Sequence, residues 1–264
     1  MSRALAEVEK RESNQQDRDR GLIAPLGHTV RIIAILALLG VVGTVLQSHL
    51  HSQAPNKVPA ALVSQRNLVL VYLSLIFGEW WLLFAVWRGI RVKGLKLQDL
   101  IGGSWTSAKR IVTDLLLGAG IWLVSLFAIW IPLARFLASR SPHGYPINPI
   151  FHYDIFEGVL CVLSSVGAGF CEEVAYRGYL QSQFRALTGN GGIAVLLQAI
   201  VFGFFHAFEG LPAAIAAGVF GLLVGLVALW RKNLRPGMVA HASTDIFNNL
   251  LPKVFWGLAA ILKI

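Results

Sequence analysis

The run LVLVYLSLIFGEWWLLFAVW, Leu68–Trp87, sets the fold class. It carries a single charge, Glu79, and matches the roughly 20 mostly apolar residues that a helix needs to cross a bilayer core. Six further runs follow the same pattern: Ile32–Leu46, Leu115–Leu133, Ile155–Gly169, Ile193–Phe205, Ala213–Trp230 and Met238–Leu251, with a shorter Val254–Ile264 at the end. Several fall short of a full span, so flanking polar residues extend them or the helices sit obliquely. The chain has 264 residues, 55% hydrophobic and only 14% charged, a balance far from that of soluble domains. We therefore expect an all-α, polytopic membrane protein of seven to eight transmembrane helices enclosing a polar intramembrane cavity.

No repeat of 20 to 50 residues is visible and the connections are short, which favours one membrane domain over residues 28–264. Met1–Gly27 mixes acids, bases, Gln and Asn without hydrophobic periodicity, and reads as a mobile cytosolic tail. The net charge of +9 reflects orientation and not nucleic acid, because the bases cluster beside apolar runs. Arg88, Arg91, Lys93, Lys96, Lys109 and Arg110 mark one cytosolic loop; Arg185, then Arg231, Lys232 and Arg235, mark two more. Alternate loops then face outward and the amino terminus lies inside, in what we expect to be the cell membrane. The stretch Arg88–Arg110 is expected to lie along the lipid surface. Cys161 and Cys171, ten residues apart on one helix, are separated by about 15 Å and cannot bridge.

Ionisable groups inside a bilayer are costly, and each is a functional hypothesis until it is found to snorkel or pair. Glu172, Glu173 and Arg177 follow the run Ile155–Gly169; His206 sits among aromatics; His241 and Asp245 interrupt the run Met238–Leu251. Glu173 and Arg177, four apart with the acid first, share a helical face in the favourable order for an ion pair. Glu172 points about 100° away and needs a partner on another helix. Glu172 lies thirteen residues before Arg185 and His206 fourteen after Gly192, so on antiparallel neighbours both sit about 20 Å from one face. His241, Asp245 and Asn248 form a polar stripe that must face protein or water, since lipid offers no hydrogen bonds. His241 is only about 9 Å along the axis from Arg235, shallower than Glu172 unless the helix tilts or Arg235 enters the membrane. A purely structural charge network and a hydrogen-bonded core histidine are the alternatives at these positions.

Glu172-Glu173-x-x-x-Arg177, Phe202-x-x-x-His206 and His241-x-x-x-Asp245, in this order on three late helices, resemble the CAAX prenyl protease and bacteriocin-processing family of intramembrane glutamic proteases. The resemblance covers about Ile155–Leu251. It implies that Glu172 activates water with help from His206, that His241 and Asp245 stabilise the oxyanion, and that Glu173 and Arg177 support the site. It implies no metal and no cofactor, and a peptide or protein substrate that is lipidated or hydrophobic. The best-known members carry Asn where this chain has Asp245. A carboxylate cannot donate to an oxyanion, so Asp245 is protonated, or holds His241 as a donating imidazolium, or yields the role to Asn248.

Two other classes compete. Two Glu, two His and an Asp are competent metal ligands, although no H-E-x-x-H or Cys-based zinc spacing occurs. A transporter or a non-catalytic relative is the other, with Glu79 as its support unless Trp80 and Trp81 hold that residue at an aromatic interface. Gly221-x-x-x-Gly225 is expected to permit close helix packing.

Overall fold

The structure is a computed structural model that describes residues 21–53, 65–140 and 155–250. Ten α-helices follow one another among these residues: α1 Leu26–Gln53, α2 Gln65–Arg91, α3 Leu97–Ile101, α4 Ala108–Ser125, α5 Ile131–Arg140, α6 Ile155–Glu172, α7 Gln181–Thr188, α8 Gly191–Phe205, α9 Leu211–Arg231 and α10 Arg235–Leu250. A π-helical stretch Leu126–Trp130 joins α4 to α5, a second one, Glu173–Leu180, joins α6 to α7, and a 3-10 turn His206–Glu209 closes α8. No strand is present among the described residues.

Six of the continuous helical segments are long and apolar enough to cross a membrane, and the protein is an all-α, multi-spanning membrane protein. The seventh expected run, α10, is only sixteen residues long and carries Arg235, His241, Asp245, Asn248 and Asn249, which lower its apolar content. Val254–Ile264 and residues 1–20 lie outside the described residues. The amino-terminal stretch read as a tail reaches packed chain before Gly27. Ile23 N–H donates to Gln183 Oε1 at 2.9 Å and Gln183 Nε2 donates to Ala24 O at 3.0 Å. One turn away, Tyr179 Oη meets His28 Nδ1 at 2.8 Å and Thr29 Oγ1 at 2.9 Å.

Local chemistry sets the corners. Asn190 caps α8 by accepting from the N–H groups of Gly192 and Ile193, directly after Gly189 ends α7 in the left-handed conformation at φ +68°. At the carboxyl end of α9, Asp114 accepts from Trp105 Nε1 at 2.9 Å and Asn233 Nδ2 at 2.8 Å, with Arg231 at 3.6 Å. Leu234 N–H donates to Ile101 O, and the Arg235 guanidinium stacks on Trp105. This knot fixes where α10 starts.

In the interior, α6 lies between α2 and α10, α10 packs on α4, and α8 packs on α9 and α7 with α1 against its far end. The expected close packing at Gly221 and Gly225 is present. A side chain at Gly225 would collide with Gln198 of α8 and one at Gly221 would press on Phe202, and the carbonyls of Gly221 and Gly225 accept from Gln198 Nε2 at 2.9 Å and Gln181 Nε2 at 3.2 Å. The core gathers Val86, Ile90, Val174, Tyr176, Tyr179, Leu180, Phe202, Phe220 and Val224. Large apolar side chains such as Leu38, Phe77, Leu116, Leu163, Ile200 and Ile215 point outward. In water they would form an adhesive surface; in lipid they face their solvent.

Candidate active site

The site grows from the point where α6 becomes π-helical. In a π-helix each N–H reaches five residues back, so turns are wider and the rise per residue is smaller, a feature frequent at functional sites. Here the wide turn presents Glu173 and Arg177 to the interior together: Arg177 Nη1 lies 2.9 Å from Glu173 Oε1, with both side chains fully buried. The Arg177 guanidinium also sits 4.3 Å above the Phe202 ring. The ion pair expected from the four-residue spacing is formed.

A buried ion pair repays its desolvation only when further hydrogen bonds complete it. One such bond comes from α10, where His241 Nδ1 donates to Glu173 Oε1 at 3.0 Å, whereas Glu173 Oε2 and the Arg177 nitrogens have no hydrogen-bond partner among the described residues. The donation fixes the hydrogen on Nδ1 and leaves Nε2 turned to the other acids. Nε2 lies 3.8 Å from Glu172 Oε2 and 3.7 Å from Asp245 Oδ2, distances of charge interaction and not of hydrogen bonding. Exposure rises across this cluster, from 0% at Glu173 and Arg177 to 13% at Glu172 and 28% at Asp245. The inner pair is fully buried and the outer acids form the exposed edge of the cluster. Close approach of α10 requires Gly237, because a Cβ there would meet Val224 at 2.6 Å and Glu173 Oε2 at 2.9 Å.

His206 enters from the end of α8. Its Nδ1 donates to Phe202 O at 2.8 Å, which leaves Nε2 as the nitrogen able to accept. The His206 and His241 rings both rest on Phe202, at 4.5 and 5.8 Å between centroids, so one phenyl ring brings the two imidazoles to a shared wall. Among the described residues no hydrogen bond joins Glu172 to His206: Glu172 Oε2 has no such partner, and the imidazole beside it is that of His241. Asp245 feels the charges of His241, Glu172, His206 and Glu209. Asn248 has its side-chain oxygen buried without a partner.

The depth mismatch foreseen for His241 does not arise. The π-helical segment shortens the axial distance from Glu172 to Arg185, and Arg235 is half-buried against Trp105. Two acids near the cluster went unassigned in the sequence. Glu79 of α2 turns inward and interacts electrostatically with Glu172, Asp245 and His241, while Trp80 and Trp81 are exposed. Its signal was present: Glu79 lies twelve residues before Arg91, about 18 Å deep, a depth like that of Glu172. Glu209, three residues after His206, interacts with His206 and Glu172. Cys161 and Cys171 are free and buried. Among the described residues, no three His, Cys, Asp or Glu side chains are grouped so as to hold a metal ion.

A helical membrane protein that buries a Glu–Arg–His cluster beside two further carboxylates has the architecture of a glutamic-type intramembrane protease. Residues 155–247 match the family model described as Rce1-like, type II CAAX prenyl endopeptidase, and this part of the chain is similar to that family. The matched segment contains Glu172, Glu173, Arg177, His206, His241 and Asp245. None of the curated proteins and none of the solved structures match the chain.

Proposed function

We propose that this protein hydrolyses a peptide bond at the membrane, close to a lipidated or hydrophobic carboxyl terminus, with a water molecule activated by Glu172. Water attacks the carbonyl carbon while its proton passes to the Glu172 carboxylate, and His206 Nε2 accepts a hydrogen bond from the same water. The developing oxyanion takes a hydrogen bond from His241 Nε2–H, with the imidazolium held between Glu173 on one side and Asp245 on the other. Glu173 and Arg177 keep that ring in place and Asn248 lines the same face. The tetrahedral species collapses when the C–N bond breaks and the amine leaves with a proton.

The observation that carries this reading is the placement of His241, oriented by a fully buried carboxylate through Nδ1 while Nε2 faces two more exposed ones. In the same reading residues 28–264 form one membrane domain with residues 155–251 as its catalytic core. Helix α10 and the end segment complete seven or eight crossings around a hydrated polar cavity, and the amino terminus is cytosolic. The experiment is cleavage of a farnesylated peptide by the purified protein in lipid nanodiscs. Glu172→Gln should abolish turnover while the protein unfolds at an unchanged temperature; a fully active Glu172→Gln protein refutes the assignment.

A further inference from the structure

We propose that Glu79 of α2 is a fourth acid of the catalytic group and gives the departing amine its proton, an inference that rests on the proteolytic reading above. Three observations converge on it. Glu79 Oε2 is buried without a hydrogen-bond partner, and no lysine or arginine among the described residues pairs with this carboxyl. It lies against Gly167 of α6, where an ideal Cβ would stand 2.6 Å from Oε2, so the absence of a side chain at Gly167 makes its seat. Gly167 is five residues before Glu172 on the same helix, and the groups that interact electrostatically with Glu79 are Glu172 and Cys171 on α6 and His241 and Asp245 on α10.

The charges of the cluster leave Glu79 this role. Arg177 compensates Glu173, and His241 stands between Glu172 and Asp245. A further negative charge beside them, half-buried and with no cation of its own, is costly, whereas a carboxyl that keeps its proton is not. A site that begins with a charged base and an uncharged acid holds both groups that amide hydrolysis requires. Water adds to the carbonyl carbon and its proton goes to Glu172. The C–N bond then breaks as the nitrogen takes the proton of Glu79. Glu79 is left as a carboxylate and recovers a proton from Glu172, so both acids return to their starting states and one water has been consumed.

The test uses the full chain in nanodiscs with the farnesylated peptide, comparing wild type, Glu79→Gln and Glu79→Asp for kcat, KM and the pH dependence of kcat. General acid catalysis contributes about 10²–10⁴-fold, so Glu79→Gln should lose at least about two orders of magnitude in kcat with KM nearly unchanged. The alkaline limb of the profile, which reports loss of the acid's proton, should vanish in Glu79→Gln and shift in Glu79→Asp. Wild-type kcat and an unaltered alkaline limb in Glu79→Gln overturn the proposal. Should Glu79→Gln fail to fold, the limb in Glu79→Asp decides: a shift supports the role and an unshifted limb overturns it. A wild type that cleaves nothing, or a Glu172→Gln control as active as wild type, removes the proteolytic reading itself and is distinguishable from failure at Glu79 alone.

Discussion

His241 Nδ1 lies 3.0 Å from Glu173 Oε1 although 68 residues of chain separate the two. The second glutamate of the Glu172–Glu173 pair therefore has two partners at one oxygen, Arg177 from its own helix and His241 from α10. It turns an ion pair that the sequence spacing explains into the anchor of an imidazole whose other nitrogen faces the more exposed acids.

His241→Ala should lose about 10²–10³-fold in kcat, the usual effect of removing an oxyanion donor. Asp245→Asn should retain substantial activity, because the amide occupies the same place beside His241. Peptide cleavage by the two variants, measured side by side, checks this; equal and complete loss from both contradicts the assignment.

Arg177→Met leaves Glu173 buried without its cation and should destabilise the protein by about 3–5 kcal/mol. The double variant Glu173→Met with Arg177→Met should recover much of that stability, because an apolar pair of similar volume suits the dry interior. It should not recover activity, because His241 has then lost the acceptor that orients it. Thermal unfolding in detergent and peptide turnover separate the two effects.

Gly237→Val should destabilise by about 1–3 kcal/mol, the usual penalty of overpacking, since Val224 and Glu173 occupy the space. Gly78→Ala on α2 is the control: nothing lies within 4 Å of its Cβ position. Alanine there should be neutral or stabilise the helix by about 0.5–1 kcal/mol. Unfolding temperatures of the two variants check the contrast.

Exhaustive chelation should leave turnover unchanged, and elemental analysis of the active protein should find no stoichiometric metal. Catalytic zinc takes three protein ligands, and no such group of His, Cys, Asp and Glu occurs among the described residues. Activity lost to a chelator and restored by zinc would replace the glutamate mechanism with a metal-dependent one.

Much of this was legible without coordinates. Apolar runs such as Leu68–Trp87 and Ala213–Trp230 determine spanning helices, because a backbone in lipid must satisfy its own hydrogen bonds. The pairing of Glu173 with Arg177 follows from four-residue spacing. Gly221 and Gly225 were recognisable as packing positions by their spacing alone.

Which faces turn toward one another was decided by the tertiary structure. In a soluble helix the polar face identifies the outside, but in a membrane helix both lipid and protein neighbours are apolar, so hydropathy does not tell which side is buried. The equal-depth argument paired Glu172 with His206, whereas the packing of α10 between α4 and α6 places His241 beside Glu172 and leaves His206 bonded to Phe202 O. The inward turn of Glu79 onto Gly167 depends in the same way on the packing of α2 against α6. Local sequence determined the helices and their charges; contacts between residues far apart in the chain decided which of those charges meet.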